Sequence, residues 1–344
     1  MKETTRVRNT AQITVISAAL LMLAACGGGS SNDSTGDGAG SSSAINSGNS
    51  TVVASRAYAV ASVLYSTGEN ATQLVDVKSA STTSRDAQFN LAEFALHKVL
   101  DFDAADRSSA KLAGKAVQTH ADACSLAGSF TETWNDADNN DILSSGDTAS
   151  ITFTNCVDEP GIRLNGTISL SNLSITGSAA TPSRSVGATF LFESLQLSVD
   201  DASATVHGDM ALQAALTNFA PFTYDISING KNLAVTEGSW QEALTAYKAN
   251  VFIDFTSGRY AYGVAGTVSG TGFPTAITMA TPRTLTGNIG AYPTTGVTIA
   301  SAADGTAARL TVNSATNVTI DLDADADGTF ESSETMTWAQ LTAL

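Results

Sequence analysis

Residues 189–199 read TFLFESLQLSV. Phe190 and Phe192 share one parity, flanked by Thr189 and Glu193, and Leu195, Leu197 and Val199 alternate again, but on the opposite parity. A period of two marks a strand with one buried face. A change of parity would turn that face to water unless one extra residue is inserted between the halves, which is what a β-bulge does. Bulges also bend and twist the strand that carries them. The stretch therefore predicts one long strand, bent between Phe192 and Leu195. The same slip occurs where Ile168 and Leu170 give way to Leu173 and Ile175.

Around these bent stretches lie regular ones: Tyr224, Ile226 and Ile228; Tyr260, Tyr262, Val264 and Val268; Val318, Ile320 and Leu322. A pattern of apolar, any, Gly, any, apolar recurs at Gly166, Gly208, Gly266 and Gly287, at irregular spacing. That irregularity predicts a meander and not a solenoid of fixed period. Residues 239–249 fit either a strand or a short helix begun by Ser239 and Glu242 as a capping box. Towards the N-terminus the pattern is helical. Residues 84–101, SRDAQFNLAEFALHKVLD, carry a broad stripe of Phe89, Leu91, Phe94, Leu96, Val99 and Leu100, with Asp86 and Lys98 placed to suit the helix dipole. Residues 54–65 are a second helix candidate whose alternation also permits a strand. The expectation is a single domain over 54–344, helical over about 54–121 and β-rich over about 122–344. It is mainly β: a strongly bent antiparallel meander sheet or incompletely closed barrel, with an N-terminal helix, that of residues 84–101, covering one face. A β-sandwich is the alternative.

The chain opens with a positive segment containing Lys2, Arg6 and Arg8, then an apolar run over 13–23, then Leu23-Ala24-Ala25-Cys26. The run is too short to span a bilayer and precedes a small-residue cleavage site, so residues 1–25 read as a signal peptide. Its end is similar to the bacterial lipobox, which implies cleavage before Cys26 and lipidation of its thiol. Gly27 is not the aspartate that retains such lipoproteins in the inner membrane, so the expected destination is the outer membrane of a Gram-negative envelope. Residues 26–53, rich in Gly and Ser, are expected to form a tether with too few apolar side chains to order itself. Removal of 1–25 takes away Lys2, Arg6, Arg8 and Glu3, a net of +2, and moves the formal charge from −16 to −18. That acidity excludes nucleic acid and attraction to anionic lipid, and leaves the lipid on Cys26 as the membrane contact. The remaining cysteines, Cys124 and Cys156, are expected to form a disulfide in an oxidising compartment. They bracket two strand-like runs, 129–134 and 149–154, that would pair as a hairpin.

Two acidic stretches carry the candidate chemistry. Residues 323–334, DADADGTFESSE, place Asp323, Asp325 and Asp327 at positions one, three and five. Gly328 stands at six, the Thr329 carbonyl at seven, Glu331 at nine and Glu334 at twelve. This is the ligand spacing of an EF-hand calcium loop, here entered from a strand, with Phe330 expected to anchor it to the core. Residues 136–147, DADNNDILSSGD, offer Asp136, Asp138, Asn140, the Ile142 carbonyl, Ser144 and Asp147 in the same register, with Asp141 where the glycine would stand. One Ca²⁺ site is expected in the first stretch and a second in the other. No nucleophile elbow, zincin motif, P-loop or Cys-x-x-Cys occurs, and His97, His120 and His207 show no mutual spacing for a metal or a triad.

The stretches NDADNNDILSSGDTASITFTNC (135–156), AYPTTGVTI (291–299) and DADADGTFESSETMTWAQL (323–341), behind a lipobox and a Gly/Ser tether, resemble a group of uncharacterised proteobacterial lipoproteins. The resemblance implies an envelope lipoprotein and no activity. The functional expectation is a non-catalytic, calcium-stabilised lipoprotein that binds a protein partner or scaffolds an assembly. The alternative is a carrier of a lipid or other hydrophobic ligand, in which small strand residues such as Gly208, Ala211 and Ala214 leave an internal cavity. The same residues would equally make room for a covering helix.

Overall fold

The computed structural model describes residues 44–75, 117–140, 144–159, 161–177, 183–199, 202–219 and 221–344. The expected signal peptide, Cys26, most of the tether, the stretch 84–101 with His97, and Ile142 lie outside the described residues. Among the described residues one helix, α1 (Ser50–Val75), precedes fourteen strands. The strands are β1 (Val117–Ala123), β2 (Ala127–Asn135), β3 (Thr148–Glu159), β4 (Ile162–Thr176), β5 (Arg184–Val199), β6 (Ala202–Phe219), β7 (Phe222–Glu237) and β8 (Trp240–Asp254). They continue with β9 (Arg259–Gly270), β10 (Ile277–Asn288), β11 (Thr295–Ala302), β12 (Ala307–Val312), β13 (Asn317–Asp323) and β14 (Ser332–Thr337), and a single turn, α2 (Trp338–Leu341), ends the chain. Each strand pairs antiparallel with its sequence neighbours in one sheet, and β1 does not meet β14, so the meander stays open. The mainly-β, bent, unclosed sheet with an N-terminal helix is the architecture that the sequence predicts, but the helix described on it is α1, and the expected cover, 84–101, lies outside the described residues.

Strands β4 to β8 run for 15 to 18 residues, far beyond the usual five or six, and they keep one buried face by bending. In β5 the bulge falls at Ser194, in the left-handed conformation at φ 52°, within the register shift between Phe192 and Leu195. Phe190, Phe192, Leu195 and Leu197 are all buried, so the inserted residue restores the face. In β4 Asn172 does the same at φ 52°, and Leu173 is buried, although Ile175 beyond it is exposed. These irregularities line up across the sheet. Asn155 of β3 borders Gly166 of β4; Gly166 faces Ser194 of β5; Ser194 stands between the pairs Phe192–Gly208 and Leu195–Val206. The line continues through Gly208 of β6 to Leu233 of β7, then to the left-handed Ala246 of β8 opposite Gly266 of β9. A crease thus crosses seven strands. Gly166 has φ +99°, and a Cβ there would overlap the Ser194 carbonyl, so only glycine lets the bulge press this close. Of residues 239–249, open to two readings in the sequence, Ser239 lies in a turn and 240–249 belong to β8, with Ala246 as the bulge that shifts burial from Leu244 to Tyr247.

The helix α1 fills the concave side, packed across β5 to β9 and β11 to β13. Ala54, Ala57, Tyr58, Ala61, Leu64 and Tyr65 are buried at three- and four-residue spacing, which decides the earlier ambiguity of 54–65 for a helix. Tyr65 lies against Tyr260 and Tyr262, with ring centroids 4.7 and 4.9 Å away. Gly68 approaches β8 so closely that a Cβ would come within 2.9 Å of Val251. Trp338 of α2 packs on Tyr58 at 4.6 Å and stacks on Tyr292 at 5.1 Å, while the Ser55 hydroxyl donates to the Leu341 carbonyl. The small strand residues accommodate this helix, since Ala214 and Ala249 are fully buried. One polar contact is built into the seat: Arg56 lies 3.9 Å from Glu242 and over the Trp240 ring. Burial pushes the Glu242 carboxyl up to about 7, against the opposing pull of Arg56. No described helix is long and apolar enough to cross a membrane.

The tether expected over 26–53 ends earlier than its composition suggests. Ile45, the one large aliphatic side chain between Gly27 and Ser50, is completely buried, and α1 is already formed at Ser50. A single buried isoleucine with its neighbours' hydrogen bonds is enough to bring residues 44–53 into the domain.

If the crease holds the sheet in shape, Gly166→Ala costs about 2–4 kcal/mol, from its left-handed φ and from overlap with the Ser194 carbonyl. Gly187→Ala, on the same sheet, where an added Cβ meets nothing closer than 3.6 Å, is expected to stay within about 1 kcal/mol of the parent. Urea unfolding of the two variants checks the contrast.

Candidate metal centre

The acidic stretch 136–147 closes the hairpin that the sequence predicts. Strands β2 and β3 pair Ser129 with Thr154 and Trp134 with Ala149, and Cys124 and Cys156 are joined across the outer end. A cross-link over a separation of 32 residues stabilises by about 3–4 kcal/mol in the chain-entropy account. At the far end Asp136, Asp138 and Asp147 come within 4.8 Å of one another. Asp136 and Asp147 are buried and Asp138 is exposed. The loop also satisfies its own carboxylates. Asp147 accepts from the Ala137 and Ser144 N–H groups at 2.9 and 2.7 Å, and Asp138 accepts from the Ser144 hydroxyl and the Asn140 amide. The tip is laced onto β4: the Ser145 hydroxyl accepts from Ile175 N–H and donates to its carbonyl, and Gly146 N–H donates to Leu173.

The stretch 323–334 is arranged differently. Asp323 ends β13, and its register partner Ala307 and neighbour Leu322 are buried, so its carboxylate is drawn under the loop and only 4% of the residue is exposed. One oxygen, Oδ2, accepts from Gly328 N–H at 3.1 Å; the other, Oδ1, is buried with no hydrogen-bond partner. Asp323, Asp325, Asp327 and Glu331 each bring one carboxylate oxygen into a group that lies within 4.8 Å of one another. Side-chain to backbone bonds hold them in place: Asp325 accepts from Asp327 N–H, Asp327 from Thr329 N–H, and Glu331 from Ala324 N–H. Ala326 and Gly328 turn the chain with φ of 63° and 86°. Four carboxylates so close repel strongly, and a buried carboxylate oxygen without a donor carries a large desolvation cost. Both costs are removed by a cation at the centre. These are hard oxygen donors with room for further ligands, the set that suits an ion of the calcium or magnesium type.

Glu334 does not join them. It lies in β14, opposite Ile320, and is exposed. In an EF-hand the last ligand is turned back onto the ion by the first turn of an exiting helix; here the exit is a strand, which carries position twelve away along the ladder. Glu331, three residues earlier, is the glutamate that reaches the cluster. Phe330 is only half-buried and lies under the guanidinium of Arg309 at 3.9 Å, itself paired with Asp321, so it clasps the sheet surface and not the core. The described histidines stay apart, His120 half-buried on β1 with Asp122 at 3.9 Å and His207 exposed on β6. Neither a family model, nor a curated protein, nor a solved structure matches the chain.

The geometry ranks the ligands. Under calorimetric titration with Ca²⁺, Asp323→Asn is expected to abolish binding and Glu331→Gln to weaken it by about tenfold or more, one charged ligand being worth at least ~1.4 kcal/mol. Glu334→Gln is expected to bind within about twofold of the parent. Equal losses at Glu331 and Glu334 would instead support an EF-hand closure.

Proposed function

We propose that the protein is a non-catalytic lipoprotein of the cell envelope, carried on a lipid at Cys26 in the outer membrane, whose calcium-stabilised β domain is a rigid binding or scaffold module. The observation that carries this reading is the filled concave face. The surface that a clam-shaped carrier would offer to a hydrophobic ligand is taken by α1 and α2, with Tyr65 set on Tyr260 and Tyr262 and with Ile228, Ala249 and Ile253 wholly buried. The module therefore meets its partner with the other face. There the irregular stretch of β10 at 281–284 walls a groove of about 750 Å³ floored by Ala215, Ser227, Gly263 and Ala265. Calcium is the preferred ion because the Asp323 cluster supplies only oxygen ligands on a loop of EF-hand spacing, and a flexible loop suits its larger, less regular shell better than the strict octahedron of Mg²⁺.

Native mass spectrometry of the secreted Cys26→Ala chain tests the reading. The expected spectrum holds the bare polypeptide and a calcium adduct, lost on chelation, with no co-purifying lipid. A stoichiometric hydrophobic ligand would make the protein a carrier.

A further inference from the structure

The acidic loop touches the place where the chain enters the domain. The turn between β11 and β12, residues 303–306, holds the lead-in to α1. The Asp304 carboxylate accepts from Ala44 N–H at 2.8 Å, and the Thr306 hydroxyl accepts from Ile45 N–H at 3.0 Å while donating to Asp304 at 2.7 Å. The Ala44 N–H and the Thr306 hydroxyl hold the Asp304 carboxyl below the usual carboxylate range. Ile45 is completely buried and Thr306 is 3% exposed, so the turn grips a plug and not a loose strand of chain. On its other side the same turn lies against the acidic loop. Ala307 pairs with Asp323 in the β12–β13 ladder, and Gly305 stands so near Ala326 that a Cβ on it would come within 2.8 Å of the Ala326 Cβ. Ala326 sits midway between the ligands Asp325 and Asp327, in the left-handed conformation.

We propose that a cation at the Asp323 loop clamps residues 44–49 onto the β11–β12 turn, so that ion binding controls the seating of the segment through which α1 is joined to its N-terminal anchor. The proposal rests on the reading of the loop as a cation site. Without the ion, repulsion among Asp323, Asp325, Asp327 and Glu331 favours an opened loop, and the loop is freest to rotate at Ala326, where the left-handed backbone costs most for a residue with a Cβ. Rotation there uncovers Gly305, loosens the turn, and frees the acceptors of Ala44 and Ile45. With the ion, the ligands on both sides of Ala326 are fixed, and the turn is backed by a rigid surface. The linkage is quantitative. If the lead-in opens only after the ion leaves, its opening constant falls by the factor 1 + [Ca²⁺]/Kd, about 100-fold at a free concentration about 100 times Kd.

Amide exchange read by mass spectrometry on the intact mature chain tests this, with Kd from calorimetry in the same buffer and chelator as the reference state. The expected result is that amides of residues 44–49 slow by about 100-fold at ~100 Kd calcium, and slow more than those of β6 and β7. In Asp323→Asn the slowing disappears. In Ala326→Gly, which keeps every carboxylate, calcium still binds and the slowing shrinks. Calcium binding with no change at 44–49, or with equal slowing everywhere, overturns the clamp and leaves the cation site standing. An unchanged slowing in Ala326→Gly overturns the route through Gly305. Absence of calcium binding removes both.

Discussion

The contact between a bulged backbone and a bare glycine on the next strand, repeated along the crease from β3 to β9, is the constraint on which the rest of the molecule depends. A strand of 15 or more residues cannot keep one face buried along a straight path against a single helix, because its ends would run past the helix into water. Each left-handed residue, Asn155, Ser194 and Ala246, inserts the extra position that preserves the apolar face while bending the strand. The neighbouring glycine lets the next strand follow the bend at full contact. A substituent at Gly166 or Gly208 would strike the Ser194 or Asn232 carbonyl, and the two strands would separate where their ladder is already interrupted.

From the bend follows the place of α1. The concave side is wide enough for one helix and lined with alternating small and aromatic residues, Ala214 and Ala249 against Tyr260 and Tyr262, all buried. Tyr65 rests against both aromatic rings, Gly68 rests on Val251, and Trp338 of the last turn closes the end over Tyr58. The acidic loops lie outside this core, at the ends of hairpins. A loop there can order its carboxylates without disturbing the packing, and ligand geometry is then set by how the strands leave the loop. The Asp136 loop leaves into a ladder that is already tied to β4 and satisfies its carboxylates internally. The Asp323 loop leaves with one buried oxygen unpaired, which is where an ion is needed.

Much of this was legible in the residues. The parity slips at 170–173 and 192–195 located two bulges, because burial on one face leaves an imprint of period two. The Cys124–Cys156 bond followed from the two cysteines left in a chain read as exported, and the hairpin between them from two short alternating runs. The helix that covers the sheet was harder to find, since 54–65 is rich in alanine, tyrosine and serine, and its buried positions satisfy a strand's alternation as well as a helix's stripe until the partner surface is known. Glu334 was misplaced for a different reason. Spacing in an EF-hand loop encodes ligands only together with its exiting helix, and SSETMT has no apolar stripe for one. The role of Asp304 and Thr306 had no local signal, because their partners Ala44 and Ile45 lie about 260 residues away.

The central claim, that the bent sheet is filled by its own helix, is tested most directly by nuclear Overhauser contacts among selectively protonated tyrosines in an otherwise deuterated chain. With ring centroids of Tyr65 at 4.7 Å from Tyr260 and 4.9 Å from Tyr262, strong cross-peaks from Tyr65 to both are expected. Their absence, with the Tyr260–Tyr262 cross-peak intact at its 5.8 Å separation, would show a folded sheet whose concave face is empty of α1 and would contradict the account.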